Sequence, residues 1–469
     1  MGTLSGAQLN GTFHTWHDGE RERVEQNLGA RTERSLQLGS RRFEQNSNGN
    51  VIEIKGLLLR RARTQDFIGS TALFDKPQYS KSLGFVKLND GREVYQLEVS
   101  PPEGETETMS IDAHTHLLDR LEYVDGDGIF SVDFSDFRPV AGYIFSFKQV
   151  QSDGDHPYDV TQTVTQMIAG KSIPKSVFEP LVPVRLLVSR PVTVPIVERF
   201  GALYTDVVIH GRTFTFLIDS GAQGLVLDSR VSTLLGLLPQ GSFEARGTSR
   251  TGGIGVTALD KIHIGDATLP VGVASILDLA GSTNGRFAID GILGFSLFGA
   301  AMVQIDYAKM TMTIAAPGGL PALGTKFDVD TDRELPEMQA TINGVPGRFL
   351  IDTGNGNELL LFHAFMQAHP GLVTGTMRMA DPSYGVGGAS TSYSTSVGEL
   401  DLGPYRLFHR TTNVILSTEG AFADRFDAGN IGLATLKNFI VTFDAFNRTL
   451  YLERGGLFSD GRERHPVNE

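Results

Sequence analysis

The sequence predicts a mainly β protein in three parts, a β meander followed by two copies of one β unit. Three observations carry this. Apolar and polar residues alternate with period two between Gly, Asp and Asn turns over about residues 40–150. The hexapeptide FLIDSG at 216–221 returns as FLIDTG at 349–354, 133 residues later. Of 469 residues, 54 are glycine, a share that favours turn-rich strands over helix bundles.

Composition narrows the function. A chain of this length exceeds one core and implies several domains. The net charge of −13 comes from 41 basic and 54 acidic residues with no basic stripe, so a nucleic-acid partner is not expected. The absence of cysteine removes thiol catalysis, disulfides and Cys-type zinc sites together. No run approaches the roughly 18 apolar residues of a membrane helix, so no transmembrane segment is expected. The start MGTLSGAQLNGTF has neither a charged n-region nor an apolar h-region and does not read as a signal peptide. A cysteine-free chain fits a periplasmic or extracellular setting, which would require a signal removed from this sequence.

The meander is read from NVIEIKGLLLRR, SLGFVKLNDGREVYQLEVS, ETETMSIDAHTH and RLEYVDGDGIFSVDFSDF as successive strands. Asn89-Asp90 and Asp125-Gly126 fall where hairpin turns belong. DVTQTVTQMIAGK is read as a short helix, and the proline-punctuated PKSVFEPLVPVRLLVSRPVTVP as a connection, with a boundary near residue 185. The segment DAHTH at 112–116 mimics the His-x-His of metal-dependent amidohydrolases. That chemistry needs a strand opening an α/β barrel, whereas meander surrounds this segment, so no metal site is expected. TWHDG, with Trp16 and His17, reads as an ordinary turn.

Beyond Ile196 the chain repeats. IHGRTFTFLIDSG at 209–221 aligns without a gap to INGVPGRFLIDTG at 342–354, and MVQIDYAKMTMTI at 302–314 to IVTFDAFNRTLYL at 440–452. Asp219 lies 46 residues before Gly265 and Asp352 51 before Gly403, while both glycines lie 29 residues before Gly294 and Gly432. One insertion of five therefore explains the whole offset, and the unit is a duplication. The expected divisions are a meander domain at 1–185, first and second copies at 186–318 and 319–456, and a tail at 457–469.

Each FLI run suits a strand buried on both faces that delivers an Asp to a fixed place. The glycine two residues later allows a tight turn and close backbone approach. Ser220 and Thr353 can hold that turn by hydrogen bonding. LVLDSRVSTLLGL carries helical spacing with Asp228 or Ser229 as N-cap, and LLLFHAFMQAHPGL is its counterpart. Two such units about a pseudo-twofold axis would bring Asp219 and Asp352 together. Neighbouring carboxylates cannot both ionise easily, so they share a proton. One then takes a proton from water while the other hydrogen-bonds a carbonyl, which is general acid–base hydrolysis of an amide. Asp306 and Asp444, which start tight turns, are read as structural.

LIDSG and LIDTG, with Ile292-Leu293-Gly294 downstream, resemble the signatures of the aspartic proteases, specifically retropepsin-like units fused in tandem in a bacterial-type aspartyl protease. The resemblance covers roughly 196–454 and implies two pseudo-symmetric β-barrel lobes of the acid protease fold. It implies catalytic Asp219 and Asp352, active-site loops supported by Ser220, Gly221, Thr353 and Gly354, and no metal or other cofactor. It further implies flap segments SRTGGIGV, with Gly252, Gly253 and Ile254, and PSYGVGGAST, with Tyr384 and Gly387, over a substrate cleft. Asn430 and Asn355 depart from the family pattern, standing where apolar and small residues are usual. MSIDAHTHLLDRLEYVDG with FSVDFSDFRPVAGYIFSFKQV is similar to the curved antiparallel sheet of periplasmic lipoprotein-carrier domains. The expected function is an aspartic endopeptidase acting as a monomer on a peptide or unfolded protein. The alternative is a non-catalytic binder of peptides or hydrophobic ligands on the same scaffold, and a third possibility has the N-terminal domain covering the cleft.

Overall fold

The structure, a computed structural model, describes residues 1–6, 9–154, 156–247, 251–282, 289–385 and 388–462. The chain forms two units: Met1–Ser47, Val51–Val182 and Gln240–Phe243 make one, and Asn48–Asn50, Pro183–Pro239 and Glu244–Glu469 the other. Strands dominate both, as the sequence predicts.

In the first unit, thirteen antiparallel strands form one sheet. It runs from Val51–Glu53 back through Arg41–Gln45, Arg31–Leu38, Arg21–Leu28 and Leu9–Asp18 to Gly2–Gly6. From there it continues through Val160–Val164, Tyr143–Ser152, Gly128–Val140, Leu118–Asp125, Glu107–Asp112 and Glu93–Val99 to Ser80–Lys87. Gly2–Gly6 pairs with Val160–Val164, so the first and last strands of the meander meet in its middle. The expected turns fall between strands, around Asn89-Asp90 and after Asp125. Asp112 caps the DAHTH turn, accepting from the backbone N–H groups of His114 at 3.1 Å and Thr115 at 2.6 Å. Trp16 lies within the strand Leu9–Asp18 rather than in a turn.

Two further sequence expectations are corrected here. The segment expected as a helix from Asp159 contains the strand Val160–Val164 instead. Its β-branched residues recur at Val160, Thr161, Thr163 and Val164, and pairing on both edges outweighs the weak helical spacing. Conversely, GLLLRR is not a strand but opens the helix Leu57–Ile68. Ile68 of that helix packs with Leu73, Val99, Met109 and Leu121.

Arg61, on the inner face of this helix, is buried. Its guanidinium donates to the Val124 carbonyl at 2.7 Å, pairs with Asp125 at 2.7 Å and lies over the Tyr123 ring. Glu107 is also buried, and burial pushes its carboxyl up to about 7. A carboxyl raised by folding costs stability above its unfolded pKa, a cost that disappears as pH falls below it. Glu107→Gln is therefore expected to raise the melting temperature at pH 8 and to change it little at pH 4, measured by thermal denaturation at both.

The second unit uses one strand arrangement twice. In the first copy Arg212–Ile218 runs parallel to Gly291–Leu293, which is antiparallel to Leu225–Asp228, itself parallel to Val273–Leu277. In the second, Val345–Asp352 runs parallel to Gly429–Gly432, which is antiparallel to Leu359–Leu361, itself parallel to Tyr405–Ile415. Short helices follow at matching places. Ser229–Leu234 is capped by Asp228, which accepts from the Arg230 N–H at 3.0 Å, and His363–Ala368 is its counterpart.

A six-stranded sheet joins the copies in the order Val192–Pro195, Thr311–Ala315, Met302–Asp306, Phe439–Asp444, Thr449–Arg454, Thr325–Asp328. At its centre Gln304 pairs with Thr442 in antiparallel register, and the Gln304 amide donates to the Thr442 hydroxyl at 3.0 Å. These are the third residues of the two aligned segments, so the pseudo-twofold axis passes between them. Asp306 and Asp444 cap the turns at the ends of these strands.

Candidate active site

Each FLI run is a buried strand end. Phe216 and Ile218 in one copy, and Phe349 and Ile351 in the other, are essentially inaccessible to solvent. Burying each such side chain contributes about 1.5–3 kcal/mol. Displacing either strand would forfeit several of these contributions, which fixes where the following Asp stands.

The two Asp loops meet at the pseudo-twofold axis through Ser220 and Thr353, both fully buried. The Thr353 hydroxyl accepts from the Ser220 N–H at 2.9 Å and donates to the Ile218 carbonyl at 2.9 Å. Reciprocally, the Ser220 hydroxyl accepts from the Thr353 N–H at 3.1 Å and donates to the Ile351 carbonyl at 2.6 Å. Each hydroxyl thus bridges the residues on either side of the other copy's aspartate. The glycines complete the approach. A Cβ on Gly221 would stand 2.6 Å from the Asp352 carboxyl carbon, and one on Gly354 2.4 Å from that of Asp219. No side chain fits at either position, so each glycine makes room for the opposite carboxyl.

Gly294 and Gly432 close the arrangement from behind. The N–H groups that follow them, of Phe295 and Leu433, donate to the carbonyls of Ala222 at 2.9 Å and Asn355 at 2.7 Å. The downstream signature glycine in each copy thereby holds the loop after that copy's Asp.

The two carboxyls are not equivalent. Asp219 is half-buried, and its Oδ1 accepts one N–H, from Gly221 at 2.9 Å, among the described residues. Asp352 is buried, and its Oδ1 accepts from Gly354 at 2.9 Å and Asn355 at 3.1 Å. Its Oδ2 accepts from the Asn430 amide at 2.6 Å. Burial and the neighbouring Asp352 charge hold the Asp219 carboxyl well above the usual carboxylate range, and a hydrogen bond to Asp352 keeps its proton in place. Asp352 is also raised by burial, but its N–H donors and the hydrogen bond from Asp219 oppose the rise.

Behind the second Asp loop lies a buried charge cluster. Arg333 pairs with Glu337 at 2.5 Å, Asp424 at 2.7 Å and Asp427, while Arg348 pairs with Asp427 at 2.7 Å and Glu337 at 3.2 Å. Burial and the Asp427 charge push Glu337 up to about 8. The Gln223 amide, in the first Asp loop, donates to the Arg333 carbonyl at 2.6 Å, tying that loop to the cluster. Buried ion pairs of this kind are sensitive to loss of one partner. They are not legible in TDRELPE and ADRFDAGN, whose charges lie some 90 residues apart and meet only in the fold.

Among the residues singled out from sequence, Asp219, Ser220, Gly221, Asp352, Thr353 and Gly354 come together. Gly252, Gly253 and Ile254 lie in the strand Thr251–Ala258, which pairs with Val273–Leu277 from Gly255 onward. Tyr384 lies in the hairpin of Ser383–Gly385 with Gly388–Ser390, and Gly387 lies outside the described residues. Asn355 and Asn430 were noted from sequence only as departures, yet both donate to Asp352. No cluster of three or more metal-binding side chains occurs among the described residues.

Residues 205–297 match the family model described as Aspartyl protease. The match spans Asp219, Ser220, Gly221 and the Gly294 signature, so this stretch is an aspartyl-protease-like domain. No curated protein matches the chain. A solved structure from Vibrio parahaemolyticus, described as an outer membrane lipoprotein-sorting protein domain, is similar at 13% identity. That alignment covers 38% of this chain and 85% of that one with a TM-score of 0.26, too low to bear on fold or function. No helix among the described residues is long and apolar enough to cross a membrane.

Removing one bridging hydroxyl leaves two buried backbone groups unpaired, at about 1–3 kcal/mol each. Ser220→Ala and Thr353→Val are each expected to destabilise the chain by about 2–6 kcal/mol. Their double-mutant cycle is expected to show coupling of roughly 0.5–3 kcal/mol by chemical denaturation. Asp219→Asn is expected to stabilise the fold at pH 7 and to have little effect near pH 3. The sign follows because a carboxyl raised by folding costs stability only above its unfolded pKa.

Proposed function

We propose that the chain is an aspartic endopeptidase built from two tandem retropepsin-like lobes, with Asp219 and Asp352 as its catalytic pair. The observation that carries this is the reciprocal Ser220–Thr353 bridging, which seats two unlike carboxyls against each other. The family match over the first copy and the repeated strand arrangement in the second support it. The lobes are assigned to 186–318 and 319–456.

In the proposed reaction a water lies between the carboxyls. The ionised one takes a proton from the water as its oxygen attacks the scissile carbonyl carbon. The protonated one donates to the carbonyl oxygen, giving a neutral gem-diol. Collapse returns a proton to the amide nitrogen, breaks the C–N bond and releases a new carboxyl and a new amine. The substrate is an extended peptide laid as a strand across the cleft. Because one chain supplies both aspartates, a monomer suffices. A cysteine-free chain fits a periplasmic or extracellular setting.

Cleavage of an unfolded protein between about pH 3 and 7 tests this, with wild type beside Asp219→Asn and Asp352→Asn. The loss of one general acid or base is expected to abolish cleavage in both variants, by a factor of at least about 10²–10⁴. Both carboxyls are raised, so the wild-type optimum is expected at mildly acidic pH rather than below pH 3. Cleavage that survives in either variant contradicts the proposal.

A further inference from the structure

We infer that Asn430, oriented by Asn355, is a positioning residue that makes Asp352 the ionised base and leaves the shared proton on Asp219. This rests on the proteolytic reading for its catalytic meaning, though the placement of the proton stands on geometry alone.

The orientation of the amides is fixed by a backbone group. The Asn357 N–H can only donate, and it meets the Asn355 side chain at 3.0 Å, so the atom facing it is Asn355 Oδ1. The Asn357 side-chain amide donates to the same oxygen at 2.8 Å. Asn355 Nδ2 then points the other way and donates to Asn430 Oδ1 at 3.0 Å. That leaves Asn430 Nδ2, which can only donate, against Asp352 Oδ2 at 2.6 Å. An amide flip at Asn430 would set two acceptors face to face and leave Asn355 Nδ2 facing a donor.

Asp352 is thus surrounded by three N–H donors, one of them an amide of a fully buried residue. A carboxylate accepting two or three N–H bonds is stabilised in its charged form. In the first copy the same positions carry apolar residues. Ile292 pairs with Leu217 as Asn430 pairs with Leu350, and it sits in an apolar cluster that Ala222, the counterpart of Asn355, packs against. A symmetric scaffold therefore carries an asymmetric device on one side only. In the proposed reaction Asp352 deprotonates the water and Asp219 protonates the scissile carbonyl.

The test combines an NMR titration of ¹³Cγ-labelled aspartates in the full chain with the pH dependence of kcat/KM. Signals are assigned with Asp219→Asn and Asp352→Asn. In wild type Asp352 is expected to titrate at lower pH than Asp219. The double variant Asn355→Ala/Asn430→Ile installs the first copy's residues. It is expected to raise the Asp352 titration, and the acid limb of kcat/KM with it, by about one to two pH units. Asn355→Ala alone, which keeps Asn430 but frees its amide, is expected to give a smaller shift in the same direction, and it decides the matter if the double variant does not fold. An unmoved Asp352 titration, or Asp219 titrating first in wild type, overturns the inference. A wild type that titrates as expected but cuts nothing sinks the proteolytic reading and upholds the proton placement.

Discussion

The arrangement of the second unit depends on two hydroxyls, Ser220 and Thr353, that cross the pseudo-twofold axis and satisfy each other's backbone. Each loop ends a strand whose neighbours are buried on both faces, so the loops have little freedom to separate. Four hydrogen bonds to the fully buried Ser220 and Thr353 side chains then fix their spacing. Everything chemical follows from that spacing. Two carboxyls pressed together, one buried and one half-buried, compete for one proton, and glycines at 221 and 354 are what let them come so close.

Duplication supplies the symmetry, but the proposed chemistry needs two unlike groups. Paired loops of identical sequence would hold the proton equally on either side. Here the second copy departs from the first at two buried positions, and both departures act on Asp352, Asn430 directly and the Asn355 side chain through Asn430. The charge cluster of Arg333, Arg348, Glu337, Asp424 and Asp427 sits behind the same loop, so the polar surroundings of the second copy are richer throughout. The six-stranded sheet, by contrast, keeps its symmetry at Gln304 and Thr442 and serves to join the copies.

Much of the site could be read in the sequence because each element carries a local signal. FLID followed by a hydroxyl residue and glycine marks a buried strand and a tight turn, and two copies in matched spacing imply a pair. Asp228 read as an N-cap because the capping preference is local. The asparagine relay was not legible, since Asn355 and Asn430 are 75 residues apart and meet only through the strand pairing of 345–352 with 429–432. One error in the first unit came from a similarly non-local cause, and another from local composition. Val160–Val164 is a strand because edges of Gly2–Gly6 and Tyr143–Ser152 flank it, and nothing within DVTQTVTQ announces either. The four strands before residue 40 went unread although Gly19, Gly29 and Gly39 mark hairpin turns at ten-residue spacing. Their charged faces, as in RERVEQNL, obscure the alternation of apolar and polar residues.

The proposed chemistry requires Asp219 and Asp352 to share one proton across the axis. An atomic-resolution crystal structure of the wild-type chain at mildly acidic pH tests it directly through the carboxyl geometry. The nearest oxygens of the two carboxyls are expected to lie about 2.5–3.0 Å apart. Unequal C–O bonds are expected in Asp219, which would carry the proton, and equal ones in Asp352. Carboxyls standing more than about 4 Å apart, or both with equal C–O bonds, would contradict it.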